Sequence, residues 1–192
     1  MFALVESGSI TQMPKGNKGI QIGDVKYPAQ IYTLWSEAER NAIGIYTVEI
    51  DNTNKKNEEW YINTNQTYTF SGGKVKATYG TATAKAIADK TVDGVVVEGL
   101  KTIKKRMIDN QCAGILTPSD WMVIRATETG ATLNSGWKTW RASVRTKCNS
   151  MQTQIDNASD VDALATLFTY TNTGTEENPV LERPLGEFPV KE

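Results

Sequence analysis

Enzyme chemistry needs side chains that can attack, carry a proton or hold a metal, and this chain offers few in useful arrangements. It contains no histidine, which removes Ser-His-Asp and Cys-His catalysis, histidine-containing zinc sites and a histidine pH switch. Its two cysteines, Cys112 and Cys148, form no Cys-x-x-Cys and fall in segments that read as helix faces. They are expected to be buried free thiols in a reduced compartment. The adjacent carboxylates Glu58-Glu59 and Glu176-Glu177 lie in polar loops, where nothing fixes the separation an acid–base pair requires. Asp160 and Asp162 precede a helix but lack the oxygen-ligand series of a calcium loop. There is no Gly-x-Gly-x-x-Gly, P-loop or Gly-x-Ser-x-Gly. The expectation is a non-enzyme with no catalytic residue, cofactor or metal.

What remains is the chemistry of contact, and the residues suited to it concentrate between Thr117 and Ile155. Three of the five tryptophans are here, Trp121, Trp137 and Trp140. Trp and Arg dominate interface energies, so Trp137, Trp140, Arg141 and Arg145 are the candidate partner-binding residues. The competing reading places Trp121, Trp137 and Trp140 in an intramolecular core.

Two amphipathic helices must position these rings. Thr117 is placed to cap the first, with Pro118 at the first helical position, Asp120 in the first turn and Gly130 as the stop. After a turn at Leu133–Gly136, Trp137, Trp140, Val144, Cys148, Met151 and Ile155 recur at three- and four-residue steps, one buried helical face. Arg141, Arg145 and Lys147 fall mostly off that stripe. Upstream, Leu100, Ile103, Lys104, Met107, Ile108 and Cys112 or Gln111 form another stripe, with Lys101, Lys104, Lys105 and Arg106 crowding its other side. Lacking interleaved aromatics, that cluster reads as a solvated or partner-facing helix and not as a nucleic-acid site.

The first 80 residues read differently. Phe2–Val5 and Ile20–Ile22 are short strand candidates around a Lys15–Gly19 loop. Ser36 with Glu39 makes a capping box and Gly44 a stop, giving a helix of about two turns. Ile45–Ile50, Trp60–Ile62, Thr67–Phe70 and Val75–Tyr79 read as strands, the last two joined by a turn at Ser71–Lys74. The fold class expected is α+β: a small antiparallel β N-terminal domain with one short helix (1–80), a linker (81–99), a C-terminal helical hairpin or bundle (100–170) and an extended tail (171–192). Pro179, Pro184 and Pro189, five residues apart, forbid a helix in that tail. Such a tail is either disordered in isolation or docks on a partner by inserting Leu185 and Phe188.

Charge sets further bounds. With 21 basic and 22 acidic side chains the chain carries a formal charge of −1, so no general attraction to nucleic acid or membrane is expected. The charge is uneven: residues 101–147 hold nine Lys/Arg against three Asp/Glu, and residues 148–192 hold two against eight. The two regions are expected to neutralise each other in one fold or assembly. Met1–Val5 is apolar but is followed at once by Glu6, Ser7 and Gly8, unlike a signal peptide.

Two stretches of the chain resemble tail-fibre assembly proteins of tailed bacteriophages. One is C-terminal: Ser119-Asp120-Trp121, then Ile124-Arg125-Ala126-Thr127-Glu128-Thr129-Gly130, then Trp137-Lys138-Thr139-Trp140-Arg141. The other is Tyr27–Glu49, an extended segment leading into the Trp35–Gly44 helix and its Ala-Ile-Gly-Ile exit. This chain departs from the pattern in having Trp140 where Tyr is usual, and in lacking a proline in the turn. The resemblance implies a factor that binds the C-terminal end of a trimeric receptor-binding fibre and helps it fold, trimerise or attach. It would work in the host cytoplasm and in some phages remain on the virion tail, within a homo- or hetero-oligomeric assembly, without ATP or cofactor. Three alternatives stay open: a permanent structural component of the tail, baseplate or fibre; a host-glycan recognition module using Tyr68, Phe70 and Tyr79; and an unrelated host adaptor.

Overall fold

The structure, a computed structural model, describes residues 1–191. The chain is mixed α+β and divides into two units, Met1–Thr83 and Ala84–Glu192.

The first unit is built from hairpins whose turns the sequence dictates. Strands β1 (Phe2–Glu6) and β2 (Ser9–Gln12) are joined by Ser7-Gly8, both at positive φ, the left-handed pair that matches strand twist in a two-residue loop. Strands β3 (Ile20–Ile22) and β4 (Val25–Tyr27) form a second small hairpin. The single turn α1 (Ile31–Leu34) and helix α2 (Glu37–Ala42) follow. Ser36 and Glu39 make the expected capping box, each side chain bonding the other's backbone N–H. Strand β5 (Ile45–Asp51) leaves α2 through Gly44. A loop and the short β6 (Tyr61–Ile62) lead to β7 (Gln66–Ser71) and β8 (Lys74–Tyr79), a hairpin turning on Gly72-Gly73. The two-residue β9 (Thr83–Ala84) ends the series.

The main sheet has the order β2-β1-β5-β8-β7. It is not wholly antiparallel as expected, because β5 and β8 run parallel, Val48 opposite Val75. The excursion from residue 52 to residue 73 is long enough to act as the crossover that a parallel pair requires. Alternation sorts side chains onto two faces. Ala3, Val5, Val48, Val75 and Ala77 make one core with Ile10, Tyr46 and Phe70. Leu4 and Ile45 make the other with Ile20, Ile31 and Tyr32.

The second unit begins where a linker is expected, and here the structure corrects the sequence reading. Strands β10 (Lys90–Val92) and β11 (Val95–Val97) pair across Asp93-Gly94, both at positive φ. The segment before them is tied down as well: the Leu100 and Lys101 amides donate to the Ala86 and Ile87 carbonyls at 2.9 and 3.0 Å. Helix α3 (Leu100–Leu116) then runs into a 3₁₀ turn, Thr117–Ser119, and α4 (Asp120–Thr129). Thr117 is therefore not a helix cap. It lies in right-handed helical conformation and its hydroxyl donates to the Ala113 carbonyl, while Pro118 starts the tighter turn. Gly130 does end α4, at φ 66°.

Asn134 caps α5 (Ser135–Asn157) by accepting from the Gly136 amide, and Asp160 caps α6 (Val161–Phe168) by accepting from the Ala163 amide. The core lies between α3 and α5, where Ile108 and Cys112 meet Val144, Cys148, Met151 and Ile155, with Leu164 also buried. Helix α4 contributes no buried residue. The expected α4–α5 hairpin is thus not the packing unit. The tail folds back too: β12 (Thr171–Asn172) pairs antiparallel with β13 (Leu181–Glu182).

Candidate functional surfaces of the second unit

The candidate partner-binding residues separate into those the fold has used and those it leaves free. Arg141 is used. Its side chain is buried, donating from Nη1 to the Leu116 carbonyl at 2.8 Å and to the Ser119 hydroxyl, and from Nη2 to Asp120 Oδ1 at 2.5 Å. It falls off the α5 stripe in sequence because it points at the α3–α4 junction, where it adds a second donor to the Leu116 carbonyl, which also accepts from the Ser119 hydroxyl at 2.8 Å.

Leu185 is used as well. It is fully buried within its own chain, with its amide donating to the Leu167 carbonyl at 3.1 Å and its carbonyl accepting from Lys147 Nζ at 2.8 Å. A partner cannot take a side chain already in a core, so the expectation that Leu185 reaches outward is corrected. Around it, Glu187 accepts from the Tyr170 hydroxyl at 2.6 Å and pairs with Arg183 at 2.7 Å. That carboxylate raises the Tyr170 phenol above its ordinary value. Phe188 is half-buried in the same strap.

Trp140 is divided between roles. Its indole N–H donates to the Pro189 carbonyl at 2.9 Å and its ring meets Trp137 edge-on at 5.5 Å. Lys191 Nζ stands 5.5 Å from the centre of the Trp137 ring. Neither tryptophan is fully buried. Arg145 is exposed, with no side-chain partner among the described residues.

Two surfaces stand open. One is a cleft of about 450 Å³ between α4 and the start of α5, lined by Trp121, Met122, Arg125, Leu133 and Trp137. Trp121 and Ile124 are both more than half exposed on α4. The other is the β10–β11 hairpin, whose Val92, Val95, Val96 and Val97 are each more than half exposed. The sequence reading placed these residues in a linker (81–99) and missed the hairpin, although Asp-Gly between valines is a strong two-residue turn signal.

Of the proposed glycan platform, Tyr68 lines a cleft of about 330 Å³ with Met1, Met13, Pro14 and Lys15, but its two companions do not join it there. Phe70 of the proposed glycan platform packs into the first unit's core, its ring 4.8 Å from Tyr46, and Tyr79 faces Lys55 at 5.7 Å. Among the described residues no three His, Cys, Asp or Glu side chains gather as a metal site. Both cysteines are buried free thiols. Burial, a hydrogen bond with Cys112 and the nearby Asp109 carboxylate push the Cys148 thiol up to about 12. Asp160, whose carboxylate accepts from the Ala163 amide, sits below its ordinary value. No helix among the described residues is long and apolar enough to cross a membrane. Comparison with protein-family models, curated proteins and solved structures finds no match for this chain.

Proposed function

We propose that this protein is a bacteriophage tail-fibre-associated factor that binds a fibre polypeptide and assists its folding, trimerisation or attachment. The family resemblance over Tyr27–Glu49 and roughly Leu100–Phe168, with its motifs between Ser119 and Arg141, suggests the partner. The observation that carries the reading is the β10–β11 hairpin. A strand with apolar residues on both faces is the pattern of a strand covered on both sides, and Val95-Val96-Val97 is such a strand with every valine more than half exposed. Strand β11 itself has no charge or proline of the kind that protects exposed edges, the one charge within the paired strands being Lys90 opposite Val97, and an isolated two-stranded hairpin is marginal in water. Such an element suits a protein completed by β-structure from another polypeptide.

The mechanism follows from the same physics. A fibre chain awaiting its partners exposes unpaired strand edges that pair wrongly or aggregate. A hairpin that adds to such an edge satisfies its backbone groups until register is fixed, through main-chain bonds that need no ATP. The test is co-expression with the fibre polypeptide encoded beside it, scoring soluble, heat-resistant trimer. Wild-type protein raises the trimer yield and Val96→Lys, which places a charge on the open hairpin, does not. Fibre that trimerises equally well alone ends the assembly reading, and association with purified virions distinguishes a permanent tail part from a transient helper.

A further inference from the structure

The second unit pairs most of its charges internally, and the remainder is informative. Of the nine cations between residues 101 and 147, six are engaged. Lys105 and Arg106 pair with Asp156 and Glu98, Lys101 bonds the Asp156 carbonyl, and Lys104 lies over the Phe168 ring. Arg141 and Lys147 are held as described above. The other three, Arg125, Lys138 and Arg145, have no side-chain partner among the described residues. On the acidic side, Asp156, Asp160, Asp162 and Glu187 are engaged. Glu176, Glu177 and Glu182 have no side-chain partner among the described residues. Three cations are left over, and three carboxylates.

Each set is gathered beside exposed apolar side chains. Arg125 lines the α4–α5 cleft with Trp121 and Trp137. Lys138 and Arg145, seven residues apart, share the flank of α5 that directs Arg141 toward α4. Glu128 on α4 is the one unpaired carboxylate near them among the described residues. The three glutamates sit on the β12–β13 hairpin, beside the exposed Val180 and Leu181. That hairpin is pre-formed: Asn172 Oδ1 accepts from the Gly174 and Val180 amides at 3.0 and 2.9 Å, and the Thr173 amide donates to the Val180 carbonyl at 2.8 Å. A pre-ordered loop loses little entropy on docking.

Within one copy the two sets do not meet. The tail that follows the hairpin is held by Trp140 and Lys147, also seven residues apart but on the opposite flank of α5 from Lys138 and Arg145. We propose that the β12–β13 hairpin of one copy docks into the α4–α5 cleft of a second copy. Val180 and Leu181 then cover Trp121 and Trp137, and Glu176, Glu177 and Glu182 face Arg125, Lys138 and Arg145. The two faces of this contact differ, so it is heterologous and builds a ring or an open chain of subunits. It uses neither strand of the valine hairpin and is independent of the fibre reading. A nucleic-acid strand is the less suitable occupant, because three free cations around an apolar cleft give little of the continuous basic track that a backbone needs.

Sedimentation of the full-length protein tests this. The contact is smaller than a standard interface, so the average mass should rise with concentration toward about 1 mM at low salt and return to the monomer at about 1 M salt, where screening is strongest. Two charge-reversed variants follow, one with Arg125→Glu, Lys138→Glu and Arg145→Glu, the other with Glu176→Lys, Glu177→Lys and Glu182→Lys. All six positions are solvent-exposed, and circular dichroism confirms that the helices are kept. Each variant alone stays monomeric, and an equimolar mixture regains association because reversed cleft again meets reversed hairpin. A wild type that is monomeric throughout overturns the proposal. So does a variant that self-associates like wild type, a mixture that stays monomeric, or saturable binding of oligo(dT) that depends on Arg125, Lys138 and Arg145 in place of self-association.

Discussion

The Trp140 indole N–H donates to the carbonyl of Pro189, 49 residues further along the chain, at 2.9 Å. With the Lys147 bond to Leu185 two turns along the same helix, it straps the proline-containing tail to α5. Leu185 fills the space between them and is fully buried.

Shortening Leu185 to Ala should therefore cost about 2–5 kcal/mol, the range for a buried leucine that leaves a cavity. Urea unfolding followed by the helical signal measures it. A loss under about 0.5 kcal/mol, the scale of a surface change, would show that the tail is not part of the core.

Two arginines four residues apart on α5 should behave oppositely. Arg141→Met takes the donor from the buried Ser119 hydroxyl, leaves the Leu116 carbonyl with its Ser119 bond alone and unpairs Asp120, at a cost of about 1–3 kcal/mol. Arg145→Ala removes an exposed side chain and should shift stability by no more than about 0.5 kcal/mol. Thermal unfolding of both variants checks the contrast, and equal effects would refute it.

Gly44 has φ 83°, and a Cβ built there lies 2.6 Å from the Val5 carbonyl oxygen. The Val5 amide meanwhile donates to the Gly44 carbonyl at 2.8 Å, so β1 cannot move away cheaply. Gly44→Ala should destabilise the first unit by at least about 1–3 kcal/mol, the cost of left-handed backbone at a non-glycine residue. The readout is the unfolding midpoint of the isolated substitution, and an unchanged midpoint contradicts the close approach.

Cys148 gives a pH signature. Its folded thiol is raised to about 12 from an ordinary 9.0, chiefly by burial. Below about pH 9 folded and unfolded chains both carry the neutral thiol, so this contribution to stability is fully present. As pH rises from about 9 toward about 12 only the unfolded chain ionises, and stability falls. Cys148→Ala should unfold with a shallower alkaline slope than wild type. Iodoacetamide near pH 8 should modify Cys148 slowly in the folded protein and rapidly in urea, since the thiolate is the nucleophile; equal rates would contradict its burial.

Local signals carried much of the first unit. Ser36 and Glu39 could be read as a capping box because both partners lie within one helical turn. Gly72-Gly73 marked the β7–β8 hairpin for the same reason. The parallel β5–β8 pair had no such mark, since nothing in either strand states which strand it will lie beside. Arg141 was misjudged for a related reason. An arginine off the stripe suggests surface, yet it is buried against groups of the 3₁₀ turn at Thr117–Ser119, which lies more than twenty residues away in sequence.

By itself the sequence determined the absence of histidine chemistry, the mixed composition of strands and helices, the α5 stripe from Val144 to Ile155 and the imbalance of charge along the second half. The tertiary structure alone decided that α5 packs on α3 and not on α4, that Leu185 turns inward, and that Arg125, Lys138, Arg145, Glu176, Glu177 and Glu182 are among the charges left without a side-chain partner among the described residues. The reason is physical. Periodicity and capping depend on neighbours within a turn or two, whereas burial and charge pairing depend on distances between segments that the order of residues leaves open.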